Sequence, residues 1–230
     1  EIFKETTEFD FEILKTRLRE QAFLNAGIHI QISDERDPDN IICENFCYEG
    51  GISSFVEYLN KKKAVELVHP DIIHFSTVAD DDQATAEVAM QYNDSYNELI
   101  LSFANNIHTT DGGTHEEGFK RSLTRVMNDY ARKYNLLKDS DKNLTGDDVR
   151  EGLTVVISIK VKDAQFEGQT KAKLGNTEIS GLVSNMMNDK LSTYLEENPA
   201  TARAIFDKAL AASRAREAAR KAKDMVRRKS

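Results

Sequence analysis

The sequence predicts an α+β fold: a mixed β-sheet with helices on one face and a long helix that projects at the C-terminus. Apolar residues recur at helical spacing in several segments, and shorter alternating or β-branched runs lie between them. The last helical pattern covers about 30 residues, or roughly 45 Å at 1.5 Å per residue. A helix of that length is too long to lie only on a domain of this size.

The first elements are a helix and a β-hairpin. Leu14, Leu18 and Ala22 share one helical face within residues 10–26, and Asp10 is suited to cap the helix N-terminus. The runs IHIQISD and IICENFCY then alternate between apolar and polar residues on either side of the turn DERDPDN. This pattern predicts two antiparallel strands.

A second helix and three more strands follow. Gly50 and Gly51 break the hairpin strand, and ISSFVEYLNKKK places its apolar residues on one helical face. The three strand-like runs lie at about 72–76, 85–92 and 98–104. The segment 105–118 is a polar loop that gives way to a helix from about Thr114.

The second half contains the central strand and the long helices. Gly146 opens a short turn or helix, after which GLTVVISIKV is the most β-branched run in the chain and predicts a central strand. Helical patterns then run from about 178 to 196. With Asn198 as cap and Pro199 in the first turn, the last helix continues to the end.

Composition narrows the class of protein. A chain of 230 residues with 40% hydrophobic residues and a mean hydropathy of −0.54 has the composition of a globular protein. No run approaches the roughly 18 apolar residues of a membrane span, and no signal-peptide layout begins the chain. We expect a cytoplasmic location and no membrane partner. Cys43 and Cys47 are expected to be buried reduced thiols, and no metal site is predicted.

Charge is distributed unevenly. The chain carries a net charge of −8, yet the segment 203–230 holds ten basic residues against three acidic ones. A basic helix on an acidic body suggests an anionic partner at one end, and a helix with a solvated basic face explains the pattern equally well.

The segment QFEGQTKAKL at 165–174 is a candidate phosphate site. Gln169 offers an amide donor and Lys171 a positive charge, which phosphoryl-transfer sites use to offset developing negative charge. A polar triplet of this kind is usually an ordinary solvated loop. A small-molecule kinase is disfavoured because the chain has no Gly-rich phosphate loop.

Six motifs in one order resemble the transducer region of the DNA gyrase B family, the ATPase subunits of bacterial type IIA topoisomerases. The motifs are FLNAGIHI, YEGGISSFVEYLN, NNIHTTDGGTHEEGFKRSLTR, TGDDVREGLTVVISIKV, FEGQTKAKLGN and ARAREAARKAKDMVRRKS. They cover essentially the whole chain, and the paralogous B chain of topoisomerase IV shares most of them. The resemblance implies a fold like the second domain of a small-subunit ribosomal protein, with a left-handed strand-helix-strand crossover.

The resemblance also implies roles for the candidate residues. Gln169 and Lys171 match the family's Gln-Thr-Lys motif, which contacts the γ-phosphate of ATP, and Lys171 would act catalytically by stabilising charge on that group. ATP and Mg²⁺ would bind the full-length protein, and neither is expected on this chain alone. A DNA-facing surface is implied for Lys120, Arg121 and Arg125, and for Arg214, Arg216 and Arg220 of the basic helix. His115 is expected to order a loop or begin a helix.

The implied domain arrangement places this chain between two others. Residues 1–197 would form the transducer, with 1–9 the tail of an upstream ATPase domain, and 198–230 would lead toward a metal-binding cleavage domain. Further implied partners are the gyrase A protein, double-stranded DNA and a second gyrase B protein in the ATP-closed dimer. The function implied is the coupling of ATP binding and hydrolysis to DNA strand passage and negative supercoiling. The alternative is a stand-alone nucleic-acid-binding module without a nucleotide role.

Overall fold

The computed structural model describes residues 8–228, so residues 1–7 of the predicted N-terminal tail and residues 229–230 of the predicted final helix lie outside the described part. The helices are α1 (Phe11–Leu24), α2 (Gly51–Lys63), α3 (Thr114–Lys133), α4 (Gly146–Arg150), α5 (Thr177–Glu197) and α6 (Pro199–Arg228). The strands are β1 (Ile30–Asp34), β2 (Ile42–Phe46), β3 (Ile73–Val78), β4 (Ala84–Tyr92), β5 (Leu99–Ala104), β6 (Ile107–His108), β7 (Leu153–Val161), β8 (Phe166–Glu167) and β9 (Lys173–Leu174).

The main sheet has five strands in the order β3-β4-β7-β5-β6, which makes β7 the middle strand as the sequence predicts. Strand β7 is antiparallel to β4, with Ile157 opposite Val88, and parallel to β5, with Ile157 opposite Ser102. The predicted mixed sheet is therefore confirmed. The parallel pairing requires a crossover connection, which α3 and α4 provide.

Helices cover both faces of this sheet, so the prediction of helices on one face was wrong. Val155 and Ile157 of β7 pack in one core with residues of α3 and α5. Between them, Val156 points to the opposite face and packs in a second core with Phe23 of α1 and Phe55 of α2. The cause lies in β7, which is apolar at successive positions and therefore needs cover on both faces.

Helix α1 and the β1–β2 hairpin form the edge of the second layer. Asp10 caps α1 as predicted, because its Oδ1 accepts a hydrogen bond of 3.1 Å from the amide of Ile13. The hairpin pairs Ile32 with Glu44 in a separate two-stranded sheet. Cys43 is exposed and Cys47 only half-buried, and both thiols are free. The prediction of buried thiols was wrong because this small sheet leaves much of its surface uncovered.

Only the first half of α6 packs on the body of the domain. Ile205, Phe206 and Ala209 are buried in the first core, and the Phe206 ring stacks on Tyr130 of α3 at 5.0 Å. Beyond Ala212 the side chains are exposed or half-buried through residue 227, as the prediction of a projecting helix requires. Neither α6 nor any other helix within residues 8–228 combines the length and apolar content needed to cross a bilayer.

Candidate functional site

The segment with Gln169 and Lys171 forms the tip of a short hairpin. Strands β8 and β9 pair antiparallel, and the residues 168–172 between them make the turn. Gly168 has φ +81°, and the amide of Lys171 donates to its carbonyl oxygen at 3.4 Å. The side chains of Gln169 and Lys171 are exposed at this tip.

Lys171 itself has a left-handed backbone, with φ +55°. This conformation costs an L-residue about 1–2 kcal/mol, and such positions concentrate at functional sites. Its Nζ lies 5.9 Å from the ring centroid of Phe166, and it makes no ion pair within the described part of the chain. Lys173, two residues on, is paired with Glu167 at 3.2 Å. The tip therefore presents one lysine whose charge no carboxylate offsets.

The base of the hairpin is fixed by a buried amide. Asn176, which is 1% exposed, accepts a hydrogen bond from the amide of Gln165 at 2.7 Å and donates to the carbonyl of Asp163 at 3.0 Å. A buried amide with its donor and acceptor both satisfied holds one local geometry. The hairpin therefore leaves β7 in a defined direction.

The other arm of the hairpin contacts the turn that leads into α3. The amide of Asp111 donates to the carbonyl of Ala172 at 2.9 Å, and the amide of Leu174 donates to Gly112 at 3.1 Å. Gly113 and Leu174 form a parallel β-bridge. The phosphate candidate and the start of α3 are thus joined by backbone hydrogen bonds.

A buried polar network, which sequence reasoning missed, follows this turn. His115 Nε2 lies 3.0 Å from Thr109 Oγ1, which lies 2.9 Å from Ser102 Oγ. Ser102 in turn donates to Glu116 at 3.1 Å. Burial lowers the pKa of His115 to about 4. His115 is the second residue of α3, as expected for a helix-start residue, and it is neutral at pH 7.

The three basic candidates on α3 all have protein partners. Lys120 is half-buried and pairs with Glu116 at 2.7 Å. Arg121 donates to Ser180 Oγ at 2.7 Å, and Arg125 lies 3.7 Å from Asp129. Arg121 and Arg125 are exposed, whereas a phosphate at Lys120 would have to compete with the Glu116 carboxylate.

The three arginines proposed on α6 are not equivalent. Arg214 and Arg220 are exposed and make no ion pair with any residue in the described range. Arg216 instead donates two hydrogen bonds to Asp148. Burial acts to raise the pKa of Asp148, but the hydrogen bonds from Arg216 and Thr145 outweigh it and the pKa is lowered. The charge of Arg216 is therefore already offset inside the protein.

Sequence reasoning placed Asp148 in the short turn or helix that opens at Gly146 but missed its pairing with Arg216 and its capping role, although a signal for the capping role was present. Thr145 and Asp148 stand three apart and form a capping box at the start of α4. In residues 8–228, no three His, Cys, Asp or Glu side chains group as a metal site requires. The two candidate side chains at the hairpin tip, Gln169 and Lys171, supply an amide and an ammonium group and no carboxylate, so the tip itself has no ligand that Mg²⁺ prefers.

Solved structures with this fold define the class of protein. The ATPase domain of Thermus thermophilus gyrase B, solved with an aminocoumarin, superposes with a TM-score of 0.82 at 37% identity, over 96% of this chain and 58% of that one. A topoisomerase IV ATP-binding domain from Francisella tularensis gives a TM-score of 0.73 at 26% identity, over 92% of this chain and 55% of that one. The fold is that of a part of the gyrase and topoisomerase IV ATP-binding regions.

The sequence profile of the DNA gyrase B family matches residues 51–225, and the chain belongs to that family. The gyrase B protein of Clostridium acetobutylicum is 57% identical over 230 residues, and that of Halalkalibacterium halodurans is 54% identical over 230 residues. Each match covers 100% of this chain and 35% of the relative. The chain thus spans about a third of the length of these relatives.

Proposed function

We propose that the chain is the transducer of a DNA gyrase B protein, which couples ATP binding and hydrolysis to DNA strand passage and negative supercoiling. The observation that carries the proposal is the exposed hairpin tip, where Lys171 holds a strained backbone and a charge without a carboxylate partner. A left-handed backbone also occurs in ordinary hairpin turns, so the feature that points to an anionic ligand is the exposed ammonium group of Lys171, which no carboxylate offsets among the described residues. The family match and the solved neighbours that are named as ATPase and ATP-binding domains support ATP as the ligand in this proposal.

In this proposal Gln169 and Lys171 contact the γ-phosphate of ATP. The ammonium group of Lys171 offsets charge on the transferring phosphoryl group, and the amide of Gln169 donates to one of its oxygens. Both side chains are exposed, so they can reach a nucleotide held by another domain. The adenine and Mg²⁺ would be held by an upstream ATPase domain.

We further propose a domain arrangement and a set of partners for the chain. Residues 1–197 form the transducer, and 198–230 lead toward a metal-binding cleavage domain. The connection from β5 through α3 to β7 is the left-handed crossover of that fold. The partners are the gyrase A protein, double-stranded DNA and a second gyrase B protein, in the cytoplasm.

A second candidate function is nucleic-acid binding without a nucleotide role. It is favoured by Arg214 and Arg220, which are exposed on the projecting half of α6 without an ion pair among the described residues. Phosphate contacts require only positive charge, so such a surface would bind duplex DNA in a salt-dependent way. In the first proposal the same surface serves the transducer, together with Lys120, Arg121 and Arg125.

The test uses the full-length protein in complex with the gyrase A protein. Lys171→Gly removes the ammonium group and suits φ +55°, so the hairpin backbone keeps its shape. We expect kcat for ATP hydrolysis to fall about 100-fold or more and supercoiling to be lost. Lys173→Ala, on the same hairpin, is the matched control and should leave kcat nearly unchanged because Lys173 is paired with Glu167.

Two results would separate the candidates. Wild-type ATP turnover by Lys171→Gly would contradict a role for Lys171 in ATP hydrolysis. Retained DNA affinity in that variant would then favour the nucleic-acid-binding module. The 230-residue chain alone should neither hydrolyse ATP nor bind it measurably, because in the proposal the remainder of the site belongs to the upstream domain.

A further inference from the structure

The strand that follows Lys171 is held by the turn at residues 111–113. Ala172, the next residue after Lys171, accepts a backbone hydrogen bond from Asp111 at 2.9 Å. Within the described residues, this is the backbone bond nearest to Lys171 that joins the hairpin to another element. The position of Lys171 therefore depends on that turn.

Gly113 is the residue that allows the two segments to approach. Its φ of +136° is a conformation that only glycine adopts readily. A Cβ added there would lie 2.4 Å from the carbonyl oxygen of Leu174 and 2.5 Å from its amide nitrogen. Both are backbone atoms, so the clash cannot be relieved by a side-chain rotation. The backbone of β9 would have to move.

Leu174 has little freedom to move toward the core. Its side chain is 0% exposed and packs in the core that contains Phe119 and Ile179. Protein cores are close-packed and resist even small displacements. A side chain at position 113 would thus push β9 outward, and the hairpin tip would move with it.

We propose that Gly113 is a positioning residue for Lys171, acting through β9. The inference rests on the function proposed above. It adds a structural connection between the hairpin tip that carries Lys171 and the helix α3 that carries the DNA-facing candidates. The same turn begins α3, and Lys120 lies seven residues further along, about 10 Å at 1.5 Å per residue. A hairpin that shifts when the phosphate contact forms or breaks therefore moves the start of the helix that carries the DNA-facing candidates.

The test is a double-mutant cycle between Gly113→Ala and Lys171→Gly in the full-length protein bound to the gyrase A protein. Gly113→Ala alone should lower kcat for ATP hydrolysis about tenfold or more, because a displacement near 1 Å at a charge contact has that scale of effect. In the Lys171→Gly background the same change should alter kcat by less than about twofold, since the group it positions is gone.

A purely structural role would behave differently in the cycle. Effects that multiply fully in the double variant, or full activity in Gly113→Ala, would overturn the inference while leaving the proposed function intact. Wild-type activity in Lys171→Gly would instead overturn the proposed function itself. Gly181→Ala is the control glycine, since a Cβ there meets nothing within 4 Å.

A second measurement needs no variant and covers the case in which Gly113→Ala fails to fold. Amide hydrogen exchange is followed in the wild-type full-length protein with and without a non-hydrolysable ATP analogue. We expect exchange to slow together in segments 109–114 and 171–175 when the analogue binds. Slower exchange in the hairpin with no change in the 109–114 turn would show that the two are not coupled.

Discussion

The guanidinium of Arg216 makes two hydrogen bonds of 2.8 Å to the two carboxylate oxygens of Asp148, joining α6 to α4. Paired bonds of this kind fix orientation as well as distance. Asp148 is 3% exposed, and it also accepts a hydrogen bond of 2.8 Å from the amide of Thr145. One carboxylate therefore closes the first turn of α4 and holds the long helix at the point where it leaves the domain.

Asp148→Ala should lower the free energy of unfolding by about 2 kcal/mol. The change removes the Asp148 half of the capping box and leaves Arg216 without its partner, although partial exposure of Arg216 reduces the cost. The neighbouring change Asp147→Ala affects an exposed carboxylate and should cost at most about 0.5 kcal/mol. Urea unfolding of the two variants gives the comparison, and equal losses would contradict a special role for the Asp148 pair.

Gly118→Ala should destabilise the contact between α3 and α5 by roughly 1–3 kcal/mol. The added Cβ would lie 2.6 Å from the carbonyl oxygen of Ser180, so the two helices would have to separate. Gly181 follows Ser180 on α5, and a Cβ added there meets nothing within 4 Å. Gly181→Ala should therefore raise the free energy of unfolding by up to about 1 kcal/mol. Thermal unfolding should therefore rank the variants on opposite sides of wild type.

His115 should make stability fall as the pH drops from about 6.5 to about 4. Burial lowers its pKa to about 4 in the folded state, so over this range the unfolded chain binds a proton that the folded chain excludes. The Glu116 carboxylate, which acts to raise the pKa, only partly opposes burial. At pH 5 the loss from this group is about 2 kcal/mol relative to pH 7.

The measurement for His115 is the difference between wild type and His115→Asn in urea unfolding at both pH values. Subtracting the free energy of unfolding of His115→Asn from that of wild type at each pH removes the contribution of the other titrating groups. A pH dependence that is the same in both proteins would show that His115 does not carry it.

Changing Arg214 and Arg220 together to Ala should weaken binding of duplex DNA and reduce the salt slope by about one for each DNA phosphate that is no longer neutralised. Arg216→Ala should change the slope less, because its charge is offset by Asp148, and should instead lower stability. Affinities measured across a salt series with the full-length protein provide the test. A larger change in salt slope for Arg216→Ala than for the Arg214 and Arg220 double variant would refute the claim that Arg214 and Arg220 face DNA while Arg216 is held by Asp148.

Several elements could be predicted because their signals are local. The Asp10 cap of α1 and the β-branched run of β7 each depend on residues that are close together in the sequence. Both are found where predicted. The Arg216–Asp148 pair joins residues 68 apart, and no local pattern indicates which of several arginines takes that place. Likewise, nothing in the segment 165–174 indicates that β9 would rest on Gly113.

The number of covered sheet faces was predictable in principle. Val155, Val156 and Ile157 of β7 are apolar at three consecutive positions, which indicates a strand buried on both faces rather than on one. The exposure of Cys43 was harder to foresee, since alternation in IICENFCY marks a strand without indicating whether another layer covers it.

The position of β7 between two cores affects how the domain unfolds. Val155 and Val156 are adjacent in the chain, yet each contributes to a different apolar layer. Loss of packing on one side would loosen the strand and expose the other side to water. The α1–α2 layer and the α3–α5 layer should therefore melt in a single cooperative transition, although they share no helix.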